Sequence, residues 1–399
     1  MNGALNKIRV LDLTRVLAGP YCTMMLADMG AEVIKIEIPD SGDDSRAFGP
    51  YRNGSSLYFA NVNRNKKGVT LNLKTPEGRD LFLKMAETAD VVVENYRPGV
   101  MDKLGVGYDV LKKVNPRIIY GAVSGFGYYG PYSDRPGYDI IAQAMGGFMS
   151  LNGPRGGQPT KSGCAMGDVL GGLNLTIGIL AALNSRRDTG LGQRVDVALA
   201  DSVVSCLENL PQWYFESGQI PARMGNWDLV VYPYDSYRAK DKEVIIGCGN
   251  QRLYERLVAL MKMPELLADP RFATLEQRNK PENREVLGEI INGWTQNYQS
   301  DELVKMILGV GVPAAPILDM KDVTEDEHIA KVRQMFVELD HPVIGKMKVN
   351  GNPVKLVGTP VEIKRHAPAT PGQDNEEVYE GVFGLSASEV AELKVKGVL

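Results

Sequence analysis

Along the first 125 residues the spacing of apolar side chains alternates between two rhythms. "IRVLDL" is β-branched with period-two alternation and predicts a strand, "TRVLAGP" reads as a loop, "YCTMMLADMG" has helical spacing, and "AEVIKIE" is strand-like again. Gly30 stands where a glycine ends a helix. Strand, helix and strand in that order predict parallel pairing through a right-handed crossover. The pattern continues with a helix "KTPEGRDLFLKMAETA", a strand "DVVVENY", a short helix "YDVLKKVN" and a strand "RIIYGAVSGFG". Such alternation predicts a doubly wound α/β domain.

Residues 162–183, "SGCAMGDVLGGLNLTIGILAAL", carry a single charged side chain, Asp168. The stretch is long enough to span a membrane, but Asp168, Asn174 and the glycines before its best helical part predict a buried helix instead. "GQRVDVALADSVVSCLENLPQWYFESG" reads as a strand running into a long helix. Residues 222–235 are then rich in Trp, Tyr, Pro and Gly, as at a domain junction. A strand, "EVIIGCGN", and the helices "RLYERLVALM" and "NREVLGEIINGWTQ" follow, predicting a smaller and more helical domain. "GVGVPAAPILDM" leads the chain back, and two amphipathic pieces end it, with Ser386 as N-cap and Glu389 completing a capping box.

At 399 residues the chain exceeds what one core organises, so two domains are expected. A net charge of -4 gives no reason to expect nucleic acid or an anionic membrane as partner. No secretory leader pattern opens the sequence, which makes the cytoplasm the expected compartment. Cys22, Cys164, Cys206 and Cys248 form no C-x-x-C pair and are expected as buried or half-buried free thiols. The three histidines, His328, His341 and His366, all lie in the last fifth of the chain without metal or triad spacing. "DEHIA" reads as a helix start and "LDHPVIG" as a loop. Chemistry, if present, falls to carboxylates or backbone, and no metal site is expected.

The loop after the first strand lacks G-x-G-x-x-G, which disfavours NAD, yet ligands of parallel sheets bind outside the carboxyl ends of the strands. Glu37 ends the second strand, where an acid can meet a ribose. Arg15, Arg46, Arg64, Lys66, Lys67, Lys74, Arg97 and Lys103 fall in or next to the strand-end loops. Each alone reads as solvated surface; together they suit a polyphosphate, and coenzyme A is the candidate left. Asp168 has two readings. It is either an N-cap for the helix it opens, or an accessible carboxylate with glycines around it (Gly163, Gly167, Gly171, Gly172) to admit a ligand. In the second reading the helix N-terminus keeps the carboxylate ionised.

Taken in order, "RVLDLTRVLAGPYCTMMLADMGAEVIKIE", "NRNKKGVTLNLKTPEGRDLF", "DVVVENYRPGVMDKLGVGYDVLKKVNPRIIYGAVSGFGYYGPY", "RPGYDIIAQAMGG" and "GDVLGG" resemble the family III CoA-transferases, the formyl-CoA transferase and carnitine CoA-transferase type. The resemblance runs over nearly the whole chain. In "LDLTRVLAGP", "GDDSR" and "NRNKK" the sequence is most similar to the dicarboxylate transferases that use succinyl-CoA. It implies an α/β fold in which residues 1–220 and 326–399 form a large Rossmann-like domain and 221–325 a small α+β domain. Two such chains interlock as a homodimer. It also implies acyl-CoA and a carboxylic acid as substrates, with no tightly bound cofactor.

By the same resemblance Asp168, in the family's G-D-x-x-G motif, is the nucleophile that becomes a mixed anhydride and then an aspartyl-CoA thioester. CoA contacts fall on Val16, Ala18, Leu71, Lys74, Asn95, Tyr96, Arg97, Lys103, Gly137, Tyr138 and Asp139. Two departures narrow it. "GCGNQ" at 247–251 stands where formyl-CoA transferases have a glycine run, so formyl and oxalate specificity are not implied. The racemase branch has a His before the Asp of "YDIIAQ"; Tyr138 stands here, and a phenol of pKa ~10 is a poor base. An α-methylacyl-CoA racemase-like enzyme and a non-catalytic CoA-binding protein remain the alternatives. Arg46 and Arg223 are candidate partners for a distal substrate carboxylate.

Overall fold

The β-branched runs become neighbouring strands of one sheet, together with two strands of more polar sequence. In chain order these are β1 (Arg9–Asp12), β2 (Glu32–Glu37), β3 (Lys66–Thr70), β4 (Val91–Glu94), β5 (Ile119–Ser124) and β6 (Arg194–Ala198). All pair in parallel, in the order β3-β2-β1-β4-β5-β6. The order reverses between β1 and β4, the switch point of a doubly wound sheet. In this computed structural model, which describes residues 3–399, the sheet belongs to a unit made of residues through Phe148, Lys161–Phe215 and Glu327–Leu399.

Alternate side chains of the strands feed two cores, one on each face. Leu11, Ile34, Val92 and Tyr120 pack with Phe82 and Met85 of α2 (Pro76–Glu87). Val10, Val33, Val91, Val93 and Ile119 pack with Cys22 and Leu26 of α1 (Ala18–Asp28) and with Leu175 and Ile179 of α4 (Met166–Thr189). Between them in sequence lies α3 (Asp139–Met145). Residues 166–183 of the apolar stretch thus belong to a core helix whose length and composition alone would also suit a membrane span.

β3 carries no apolar alternation in its first half, because Lys66 is buried against Asp12 (3.0 Å) and Lys67 pairs with Glu32. It is also an edge strand. Its outward Gly68 N–H donates to Asp374 Oδ2 (2.7 Å) and its Thr70 N–H to Asn375 Oδ1 (2.9 Å). Side chains from the end of the sequence therefore cover an edge that would otherwise be open.

The second unit comprises Met149–Thr160 and Glu216–Asp326. Its three-stranded antiparallel sheet is β7 (Tyr234–Arg238), β8 (Glu243–Gly247) and β9 (Ala314–Pro316), with β8 central. α5 (Gln251–Met261), α6 (Pro281–Thr295) and α7 (Ser300–Gly309) close a core around Tyr237, Leu257, Ile291 and Ile307. This small unit also takes in 149–160, a segment placed in the large domain on sequence. Its "GCGNQ" segment ends β8 and starts α5, where Asn250 Oδ1 accepts the Leu253 N–H.

In "LDHPVIG" the expected loop is only Pro342–Ile344, the turn of a hairpin between β10 (Phe336–His341) and β11 (Gly345–Asn350), closed by the N–H groups of Val343 and Ile344 donating to His341 Nδ1. α8 (Asn375–Tyr379) and α9 (Ala387–Val395) follow, the second opened by the expected Ser386–Glu389 capping box.

Candidate active site

Asp168 lies in the first turn of α4, but it is not the N-cap. Ala165 holds that position, without a side-chain cap, and Asp168 is the third residue of the helix. Among the described residues its carboxyl accepts no hydrogen bond and has no cationic partner. The amide that a cap would have served, Gly167 N–H, donates to Asp139 Oδ1 at 2.7 Å instead. Burial, and after it the Asp139 carboxylate, push the Asp168 carboxyl up to about 7. Burial thus works against the helix end, which was expected to keep this carboxylate ionised.

The glycines after Asp168 also do something other than expected. Gly172 is where α4 meets α1, since a Cβ there would lie 2.6 Å from Ala18 O. Gly171 is pressed against Leu199 in the same way. They admit helices rather than a ligand, and in doing so set the second turn of α4 against the first turn of α1.

Above this contact a cleft of about 900 Å³, open to solvent, lies at the switch point. Its wall comes from the loop after β1 (Arg15, Val16, Leu17, Ala18), the loop after β4 (Asn95, Tyr96, Arg97, Pro98), the end of β5, the segment Arg135–Tyr138, and Asp168. Gly137 passes so close to Gly125 that a Cβ on it would fall 2.5 Å from the other's Cα, which lets two backbones form one side. Arg15, Arg97 and Arg135 line the cleft; Arg15 pairs with exposed Asp44 at 3.1 Å and Arg135 stacks on Tyr132. Guanidinium groups in this number suit phosphate or carboxylate.

Eight of the residues expected at the site therefore meet there: Val16, Ala18, Asn95, Tyr96, Arg97, Gly137, Tyr138 and Asp168. Lys74 and Lys103 are exposed outside the cleft wall, and the Leu71 side chain is buried in the core. Asp139 also lies outside the wall, with its second oxygen held by Gln143 Nε2. Several cations expected to face an anion are spent elsewhere. Arg64 pairs with buried Asp28, Lys66 with Asp12, and Arg46 bonds Glu37 at 2.7 Å through both Nε and Nη2. That pair removes both the acid assigned to a ribose and one candidate for a distal carboxylate. The other candidate, Arg223, donates to Gly157 O and Ser150 O within the small unit. Cys164 is exposed, against expectation.

Sequence reasoning missed Tyr58, Arg135 and Asp43. The Tyr58 phenol is pushed up to about 12 by burial and then by the carboxylates of Asp168 and Asp43, which places it near the nucleophile position. No local signal marks it, because the approach is between segments 110 positions apart. Asp43 lies in "GDDSR", which was legible as a motif but not as a contact to the β1 loop.

Strand order and cleft position together define a doubly wound α/β protein with its cleft at the switch point. The model of CoA-transferase family III matches residues 5–375. The acetyl-CoA:oxalate CoA-transferase of Acetobacter aceti is 40% identical over 357 residues, covering 89% of this chain and 90% of its own. The succinyl-CoA–D-citramalate CoA-transferase of Chloroflexus aurantiacus is 38% identical over 397 residues, covering 99% and 98%. The crystal structure of a CAIB/BAIF family protein from Brucella suis has a TM-score of 0.84 at 36% identity, covering 96% of this chain and 100% of that one. The chain belongs to CoA-transferase family III and is a CoA-transferase, an enzyme whose substrates are CoA thioesters.

Proposed function

We propose that this enzyme moves CoA between carboxylic acids through covalent intermediates on Asp168, with a dicarboxylyl-CoA such as succinyl-CoA as donor. One observation carries the reading: the cleft at the switch point holds a carboxyl that, among the described residues, has no hydrogen bond or ion pair of its own. A carboxylate so placed is free to act as nucleophile. Its oxygen attacks the thioester carbonyl; a C–O bond forms, the C–S bond breaks, and CoA thiolate leaves a mixed anhydride. The thiolate attacks the aspartyl carbonyl, releasing the donor acid and forming an aspartyl-CoA thioester. The acceptor carboxylate displaces the thiolate to give a second anhydride. Attack of the thiolate on the acceptor's acyl carbon then yields the new acyl-CoA and regenerates Asp168. Val16, Ala18, Tyr96, Arg97, Gly137 and Tyr138 are the CoA contacts in this reading.

The succinyl donor is supported by the Chloroflexus relative, and the cleft's guanidinium groups suit a distal carboxylate. An oxalate acceptor is a second reading, favoured by the Acetobacter relative. Mass spectrometry after incubation with succinyl-CoA, acetyl-CoA and oxalate panels, with hydroxylamine trapping, tests both. A modification on Asp168 is expected, and its absence with every donor overturns the mechanism.

The rate of that acylation has an expected pH dependence. Only the ionised Asp168 attacks, so the rate rises about tenfold per unit below pH 7 and levels off near pH 8. Glu94 is also pushed up to about 7 by burial, and Glu94→Gln is expected to leave the profile in place. Rapid-quench measurements of the two proteins between pH 5 and 9 check this.

The interlocked homodimer belongs to the same proposal. Ile177 and Leu191 are large apolar side chains exposed on the large unit, and burying them favours association. Light scattering is expected to give twice the 43.7 kDa of one chain.

A further inference from the structure

Val16 has φ +68°, a left-handed backbone that a β-branched residue rarely adopts. Nothing in its own side chain favours this. Two polar side chains from distant loops bond the backbone of residues 15 and 16. Asn95 Oδ1 accepts the Arg15 N–H at 2.9 Å, and Asn95 Nδ2 donates to Arg15 O at 2.7 Å, so one amide fixes both sides of residue 15. Asp43 Oδ1 accepts the Val16 N–H at 3.1 Å.

We infer that Asp43 and Asn95 are positioning residues, a clamp that holds residues 15 and 16 and thereby sets the wall that residues 16–18 give to the cleft. The clamp is built to be stiff. Asp43 also accepts the Ser45 N–H and Oγ–H, and its own N–H donates to Glu37 Oε2. Fully buried Lys35 donates to Asp43 Oδ2 at 2.8 Å and to Thr14 O at 2.9 Å, so one ammonium ties the clamp to the residue before the turn. Released from it, Val16 returns to negative φ, and the peptide planes on either side of it turn. Asn95 was expected as a CoA contact; here one amide oxygen and one amide hydrogen are committed to the loop. What the wall does for CoA rests on the proposed transferase reading; the clamp itself does not.

Asn95→Ala is the first variant, because Asn95 is half-buried, whereas Asp43→Asn leaves the buried Lys35 ammonium short of a counter-charge. Asn95→Ala is expected to raise KM for the acyl-CoA donor about tenfold. Adding Val16→Gly is expected to recover at least about a third of that loss, since glycine takes positive φ without strain. A purely structural defect, or a lost direct contact with CoA, would not be rescued this way. Amide exchange of the segment 13–18 is read on the same proteins without substrate. It is expected to quicken about tenfold in Asn95→Ala. Unchanged exchange and KM in folded Asn95→Ala, or no recovery in the double variant, overturns the clamp. A wild type that turns over no acyl-CoA overturns the transferase reading alone, and the exchange data still decide the clamp.

Discussion

Asp168→Asn is expected to lose at least about 10³-fold of CoA-transferase activity while still binding CoA, because the variant removes the attacking oxygen and little volume. Steady-state rates with succinyl-CoA and calorimetric titration with CoA measure the two halves. A second readout follows from the same carboxyl. Its folded pKa of about 7 lies above the ordinary carboxyl value of 3.8. Between these two values the folded protein binds more protons than the unfolded chain, so stability falls as pH rises, until the whole loss is present above pH 7. An asparagine has no such loss. The variant is therefore expected to be more stable than wild type by about 1–3 kcal/mol at pH 8 and no more stable below pH 4. Urea unfolding at both pH values checks the sign. A gain in stability with loss of activity is what a carboxyl kept for chemistry predicts, whereas a helix cap predicts a loss of both.

Gly172→Val is the substitution expected to damage the fold most. A Cβ at 172 meets Ala18 O at 2.6 Å and Tyr21 Cβ at 3.2 Å, so α4 must move away from α1 before any larger group is accommodated. The cost is expected at about 3 kcal/mol or more, with soluble yield falling accordingly. Gly163→Ala, where nothing lies within 4 Å, is expected to change stability by less than about 0.5 kcal/mol. Urea midpoints of the two variants separate a helix contact from a general intolerance of this glycine-rich stretch. Displacing α4 also carries Asp168 away from residues 16–18, so surviving Gly172→Val is expected to be slow as well.

What the sequence revealed and what it hid divide by range. The parallel strands of β-branched residues were legible because their alternation is local, and the Ser386–Glu389 box because its partners lie three residues apart. The start of α1 was missed by three residues, since Ala18, Gly19 and Pro20 look like a loop until they are seen in a buried first turn. The long helix expected after β6 is broken where Glu208 takes φ +54°, which no pattern announced. Charge was misread most. Lys66, Arg64 and Arg46 resembled ligands for phosphate because Asp12, Asp28 and Glu37, which neutralise them, belong to other elements. Asp168 itself was visible as a lone acid in an apolar run. Its place inside the first turn rather than at the cap, and the burial and Asp139 carboxylate that raise its pKa, were not.

The covering of β3 sets a timetable for the nascent chain. Gly68 and Thr70 wait for Asp374 and Asn375, the latter partners separated by 305 positions. At ribosomal speeds that interval is roughly 15–60 s, far longer than a strand needs to pair. During it the early strands emerge with a bare rim that any other extended segment fits, including the same strand of a neighbouring polypeptide on a crowded message. The emergence of residues 374 and 375 is thus the moment at which this rim is covered. A chaperone that shields the rim until then would act on the step most exposed to loss.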